Sequence, residues 1–466
     1  MHDDPLGLNQ GHAPPSGVWK LPQQEPTNLI ALWPHDEAPT QPEIIAALEA
    51  HWDGVQIVDE IQPEEKSMPW AFVVNSDAIH EAAILWCEPA RPMPPGELDD
   101  PRAEACKWVI GIESQLNPEQ PLESYRDLVR FIAAPFDEVP GILDVNTTGW
   151  IQRQAILEQF LPDDNVPPID VLWIVHAVSP SDAARESENS GDSGGVWLHT
   201  HGLWRCGRPE LEMLEVDQNY ASMGGNLINE IAERILDDPP TPPGEAFHLG
   251  DNLAVTLHPW QDLMENMTPG TPGGKHDRDQ DESGAHTGVR AVICDSKPHG
   301  TFKKIWVWPK ASLDSLHNDQ AVIWKSTRAT QRIAMQAKYT WGELATAFAK
   351  LSPYLAPSAE TPKAVVLIKS GFTYRPDGDD EDSTEHMWLE VRRFEGEHVE
   401  GRLLNEPMFI PDIRIEESIR VPREDLSDWI VKTEVGSFGP CNVKAMWRDV
   451  DRIASTTTLP PREARS

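Results

Sequence analysis

Two histidines one residue apart, His199 and His201 in Trp197-Leu198-His199-Thr200-His201-Gly202, are the residues here best placed to do chemistry. Alternate side chains on a strand share a face. The pair would then offer two neutral imidazoles to one divalent ion. Gly207-Arg208-Pro209-Glu210-Leu211-Glu212 follows. A hairpin centred on Gly207 and Arg208 sets Arg205 opposite Glu210 and Leu203 opposite Glu212. His199, His201, Arg205, Glu210 and Glu212 then share a polar face. Leu198, Thr200, Trp204, Leu211 and Met213 take the core side. Two uses follow. One is a metal centre in which Glu210 or Glu212 joins the histidines, which needs a third ligand and an open position. The other is a polar sheet face with a cross-strand Arg–Glu pair and hydrogen-bonded histidines. A one-residue register slip abolishes the arrangement.

Other chemical spellings carry less. Gly191-Asp192-Ser193-Gly194-Gly195 spells a serine-protease nucleophile motif, but no Ala-Ala-His-Cys stretch precedes it and it sits in a small polar segment. Triad catalysis needs a base and an orienting carboxylate held together. Asp277, Asp279 and Asp281 start like a calcium loop, yet Glu282 and Gly288 stand where Gly and Glu are required. The run Asp377 to Asp382 reads as solvated acid. No phosphate-binding glycine loop and no His-Glu-x-x-His motif is present.

The elements that must position these residues come from periodicity. Asn28–Trp33, Val55–Val58, Trp70–Val74 and Ala82–Trp86 read as strands, with a helix over 42–52, a β-α-β-β start of ferredoxin-like kind. A second helix lies within 119–136. Ile169–Val178 reads as a buried strand from its apolar run. Val196–Arg205, Glu210–Val216, Asn252–His258, Val289–Asp295, Lys304–Trp308 and Ala321–Lys325 continue a sheet, with a helix over 221–236. Residues 181–194 and 266–288, rich in Gly, Asp and Ser, read as irregular and exposed. Helices follow near 329–337 and 340–351, and 352–362 reads as a linker. The last block has strands at 364–369, 386–392, 401–405 and 418–422, with a short helix near Arg423–Trp429.

The fold expected is α+β and multi-domain: antiparallel and mixed sheets with flanking helices. It comprises a flexible tail (1–27), an N-terminal domain (28–148), a middle domain (149–352), a small β-rich C-terminal module (363–452) and a tail (453–466). The chain has 466 residues with 39 basic and 76 acidic side chains, a net charge of −37. Such a charge repels phosphate backbones and anionic lipid, which argues against nucleic acid and membrane partners. Five scattered cysteines without a Cys-x-x-Cys pair suit a reducing cytoplasm. The start reads as no signal peptide, and no apolar run reaches the ~20 residues of a bilayer span.

The C-terminal block carries Glu385-His386-Met387-Trp388, then Gly401-Arg402-Leu403-Leu404-Asn405-Glu406-Pro407, then Ser427-Asp428-Trp429. This series resembles the YegJ-like family, domain of unknown function 2314. The resemblance implies a small α+β bacterial domain with no assigned reaction, whose motif residues here are Glu385, His386, Trp388, Asn405, Pro407, Asp428 and Trp429. The acidic stretch at 377–382 departs from the family pattern. The His-Thr-His-Gly and Gly-x-Pro-Glu-Leu-Glu stretches resemble domain of unknown function 4026. Neither resemblance supplies catalytic residues. The expectation is a cytoplasmic, non-catalytic interaction or regulatory protein with a protein partner. The alternative is a metal-dependent enzyme, a hydrolase, using His199 and His201 with Glu210 or Glu212 and a divalent metal.

Overall fold

The computed structural model describes residues 19, 21, 24–62, 67–136, 138–179, 195–264, 267, 271–281, 284, 286–296, 308–318, 320–355, 364–375 and 382–456. Residues 191–194 of the pentapeptide with Ser193, residues 304–307 of an expected strand, the acidic residues 377–381, linker residues 356–362 and the terminal 457–466 lie outside them. Two compact units result: Met1–Leu161 with Ile169–Lys325, and Pro162–Pro168 with Ser326–Ser466.

The first unit opens with β1 (Thr27–Trp33), α1 (Gln41–His51), β2 (Gln56–Ile61), β3 (Trp70–Asn75), β4 (Ala83–Pro89) and β5 (Trp108–Ser114). α2 (Pro121–Ala133), β6 (Gly141–Asp144) and β7 (Gly149–Gln152) follow. The expected β-α-β-β start is present, within a seven-stranded antiparallel sheet ordered β2-β3-β4-β5-β1-β6-β7. α1 starts where it does because Thr40 and Glu43 form a reciprocal cap, each satisfying the other's backbone N–H. α2 buries Leu122, Tyr125, Leu128, Val129 and Ile132, one stripe at helical spacing. The expected tail is partly docked: Trp19 is buried and its indole donates to the Thr241 carbonyl at 3.0 Å.

The same unit continues with β8 (Ile174–Val178), β9 (Val196–His201), β10 (Glu210–Val216), α3 (Ala221–Asp237), β11 (Ala246–Asp251) and β12 (Leu253–Pro259). Then come α4 (Lys275–Asp279), β13 (Arg290–Asp295), α5 (Lys310–His317) and β14 (Val322–Ile323). Their sheet is ordered β14-β11-β12-β13-β10-β9-β8, with β10 and β13 parallel and the other pairs antiparallel. Leu227, Ile228, Ile231 and Ile235 of α3 share one core cluster with Leu198, Leu211 and Met213 and with residues of the first sheet.

The stretch expected as one buried strand at 169–178 divides. Ile169–Leu172 coils into a 3-10 turn with Leu172 buried, and only Ile174–Val178 is strand. β8 is the last strand of its sheet, so its outer end is exposed despite its apolar residues.

The second unit contains α6 (Thr327–Tyr339), α7 (Trp341–Leu351), β15 (Ala364–Tyr374), β16 (Ser383–Glu395), β17 (His398–Leu403), β18 (Ser418–Pro422), β19 (Leu426–Thr433), β20 (Ser437–Phe438) and α8 (Val443–Thr456). Its antiparallel sheet runs β18-β17-β16-β15-β19-β20. The boundary between units falls at 325/326 rather than in 352–362. Trp341, Leu344 and Leu351 of α7 bury against Val366, Leu389 and Trp429 of this sheet. The helix expected near Arg423–Trp429 is a single 3-10 turn, Arg423–Asp425, followed by β19. Leu426, Trp429 and Val431 are buried there in a central strand beside β15. α8 covers residues 453–456, which were expected as tail, because Met446, Val450 and Ile453 bury one apolar stripe.

Candidate metal centre

β8 and β9 pair antiparallel with His176 directly opposite His199 and Ile174 opposite His201. Directly opposed side chains on one face sit about 5 Å apart. The register therefore adds a third imidazole to the pair the sequence supplies. The ring centroids are 5.0 Å apart for His199 and His201, 5.5 Å for His176 and His199, and 5.1 Å for His176 and His201. One nitrogen from each of the three lies within 4.8 Å of the others. A fourth ring, His286, stands 5.1 Å from His199 and 5.4 Å from His201.

The cluster grades from inside to outside. His199 is 2% exposed, His201 is half-buried and His176 is exposed. Trp197 stacks on His199, centroids 4.0 Å apart. Burial first, then the Arg290 charge, pushes His199 down to about 2 and His201 to about 3, from an ordinary value of 6.5. Burial also lowers His286. These rings are neutral near pH 7, the form that binds metal. Nδ1 of His199 is buried with no hydrogen-bond partner. A buried polar atom left so costs about 1–3 kcal/mol, unless something absent from the protein chain satisfies it.

The two carboxylates proposed as ligands are otherwise engaged. Glu210 accepts from the Gly202 and Trp204 amides at 2.8 and 3.0 Å and from the Thr200 hydroxyl at 2.6 Å. Glu212 is opposite His199. It accepts both hydrogen bonds of a buried pair with Arg278, at 2.7 and 2.8 Å, and one from the Trp197 indole at 3.2 Å. Arg290, also buried, weighs against a dication; Glu210 and Glu212 are the anions that offset it.

The expected hairpin does not form. β9 ends at His201, and Trp204–Cys206 coils into a 3-10 turn closed by Gly207 at φ 69°. Leu203 therefore does not oppose Glu212. Arg205 leaves the polar face and is fully buried against Asp144 of β6, its two Nη atoms donating at 2.9 and 2.7 Å. The Tyr125 hydroxyl donates to the same carboxylate at 2.8 Å. Gly202 has φ 115°, and a Cβ there would meet the Leu172 carbonyl oxygen at 2.3 Å, so the residue after the His pair needs to be glycine.

The region expected as an exposed loop at 266–288 is in part ordered and buried. Thr271 and Arg278 are buried and α4 is helical. Gly273, at φ 76°, lies so close to Trp197 that a Cβ would come within 2.5 Å of its ring. Arg278 also donates to the carbonyls of Gly273 and His286, at 2.8 and 2.6 Å. Asp277 and Asp281, which resemble calcium ligands in sequence, instead accept the backbone amides of Gly273 and His286. His176, Arg278 and His286 were missed by sequence reasoning. Only His176, a lone polar residue within an apolar strand run, left a signal.

In the C-terminal module the motif residues make turns. Glu385 accepts the amides of Met408 and Phe409 at 2.8 and 3.0 Å. Asn405 accepts the Trp388 amide at 2.7 Å, and Pro407 lies in the connection between β17 and β18. Nδ1 of His386 is 3.0 Å from the Ser427 hydroxyl. Asp428 faces Lys369 across β15 and β19, and the Lys369 ammonium lies 5.8 Å from the Trp388 ring centre. Trp429 is fully buried, its indole donating to Thr340 at 3.0 Å.

Two family models match. Residues 182–293 match "Protein of unknown function (DUF4026) C-terminal", and residues 355–456 match "Uncharacterized protein conserved in bacteria (DUF2314)". His199, His201, Arg278 and His286 fall within the first match and His176 before it. A putative ankyrin repeat protein of Neisseria meningitidis serogroup B is 30% identical over 119 residues, 26% of this chain. The chain spans 43% of that relative's length. No solved structure gives a significant match. Among the described residues no helix is long and apolar enough to cross a membrane. In its middle and C-terminal segments, the chain is similar to the DUF4026 C-terminal and DUF2314 families.

Proposed function

We propose that this protein is a metal-responsive interaction or regulatory protein that holds one divalent transition ion of the zinc class at His176, His199 and His201. The observation that carries this reading is the group of three imidazole nitrogens from His176, His199 and His201, together with a buried Nδ1 of His199 that has no hydrogen-bond partner. Three nitrogens within 4.8 Å of one another would draw in to roughly 3.4 Å to make the ion–nitrogen bonds of about 2.0–2.1 Å of a tetrahedral site. The acidic surface fits a protein partner better than nucleic acid or anionic lipid. A relative named as an ankyrin repeat protein agrees with partner binding. Free thiols fit the cytoplasm. Burial raises Cys87 and Cys206 to about 12, which makes them poor nucleophiles.

Elemental analysis of protein purified without chelator or a metal-affinity tag tests the reading. About one zinc-class ion per chain is expected, and none in His199→Asn/His201→Asn. A wild-type chain that neither retains nor takes up zinc would sink it. The alternative is a metal-dependent hydrolase, with a water in the ion's fourth position. It is favoured by the exposure of His176, which leaves that side of the ion open. Zinc-dependent turnover of a chromogenic ester would move the balance to it.

A further inference from the structure

The segment carrying His286 is anchored through Arg278, and the His286 ring is partly exposed. Arg278 anchors it through Glu212 and through the carbonyls of Gly273 and His286. The imidazole of His286 keeps 29% of its surface exposed. Asp281 accepts the His286 backbone amide at 2.6 Å, and the same oxygen is 3.3 Å from Nδ1 of the ring. A carboxylate on one imidazole nitrogen fixes the tautomer and leaves the other nitrogen as the ligand atom. That is the usual outer partner of a metal-bound histidine. The ring stands 5.0 Å from Trp197 and within 5.4 Å of both His199 and His201, centre to centre, yet it lies outside the group of three. It is the one histidine of the four that β8 and β9 do not carry.

Building on the metal reading above, we propose that His286, oriented by Asp281, is the fourth ligand of the ion held by His176, His199 and His201. Four imidazoles complete a tetrahedron and leave no position for substrate. The site is then a structural one rather than a hydrolytic one. β8 and β9 supply three ligands from paired strands, and the fourth closes the site from outside the sheet.

The full-length wild type, His286→Asn and Asp281→Asn are compared with zinc alone as the probe, affinity being read by chelator competition and folding by circular dichroism. Wild type should bind one zinc per chain. Asp281→Asn should bind it roughly 10- to 100-fold more weakly, and His286→Asn, which loses the ligand itself, more weakly still. Zinc bound by folded His286→Asn with wild-type affinity overturns the fourth ligand and leaves the three-histidine site standing. A wild type that takes up no zinc overturns both. If His286→Asn fails to fold, Asp281→Asn decides, and unchanged affinity there overturns the proposal.

Discussion

The histidine cluster on β8 and β9 and the motif face of the C-terminal module both gather polar residues on a sheet, but they differ in whether the chain satisfies them. At the C-terminal face, Glu385 and Asn405 close three hydrogen bonds to backbone amides, and His386 has the Ser427 hydroxyl. Each residue holds a turn or a neighbouring strand, and among the described residues no buried side-chain N or O atom of Glu385, His386 or Asn405 is left without a partner. At the cluster, the carboxylates are fully used by Arg278, Trp197, Gly202, Trp204 and Thr200, while a buried imidazole nitrogen faces no partner. A distinctive motif marks a fold requirement in the first case. In the second, an unmet hydrogen-bonding need is what the proposed ion would meet.

Three measurements would break or sharpen that contrast. The largest effect belongs to the ion pair beneath the cluster. Arg278→Ala strands Glu212 as a buried charge and should lower stability by about 3–5 kcal/mol, read by urea unfolding. A loss under 1 kcal/mol would show that Glu212 finds another partner and is free to act as a ligand.

The next effect is acid sensitivity. His199 and His201 refuse protons in the folded protein down to about 2 and 3, whereas the unfolded chain takes them near 6.5. Between about pH 3 and 6.5 the unfolded state binds more protons, so stability rises with pH there and is lost on acidification. The two rings together should contribute a slope of up to about 2.7 kcal/mol per pH unit, flat above pH 7. His199→Phe/His201→Phe should flatten it in chelator-treated protein. A slope the double variant leaves unchanged would place the acid response elsewhere.

The smallest effect is expected at the C-terminal motif. Asn405→Ala removes a partly exposed turn bond and should cost about 1 kcal/mol, with zinc binding unchanged. Altered zinc binding in that variant would end the contrast between the regions.

How much of this was legible depends on the distance over which each feature is decided. The two-residue period of a strand made His199 and His201 neighbours from sequence alone. The apolar set of α3, Leu227, Ile228, Ile231 and Ile235, was equally local. The turn after β9 was not, because Arg205 is drawn out of the expected hairpin by Asp144, sixty-one residues away. His176 is brought in by a strand register that β8 alone does not encode. The segment around Arg278 has no apolar periodicity, since a buried ion pair and a glycine against Trp197 hold it instead. The helix expected near Trp429 failed for a related reason: strand pairing with β15 overrides what the local residues suggest.

The salt bridge of Arg205 with Asp144 bears on how this domain can travel between proteins. The DUF4026 match begins at residue 182, after β8, and excludes β6. A fragment cut at that point would keep Arg205 and lose its carboxylate. It would also bare the rim of β9 where Ile174 to Val178 now pair, leaving an open edge prone to adding strands from other chains. Recombination that moved this segment intact would have to bring Asp144 and the 174–178 strand with it, or replace both at once.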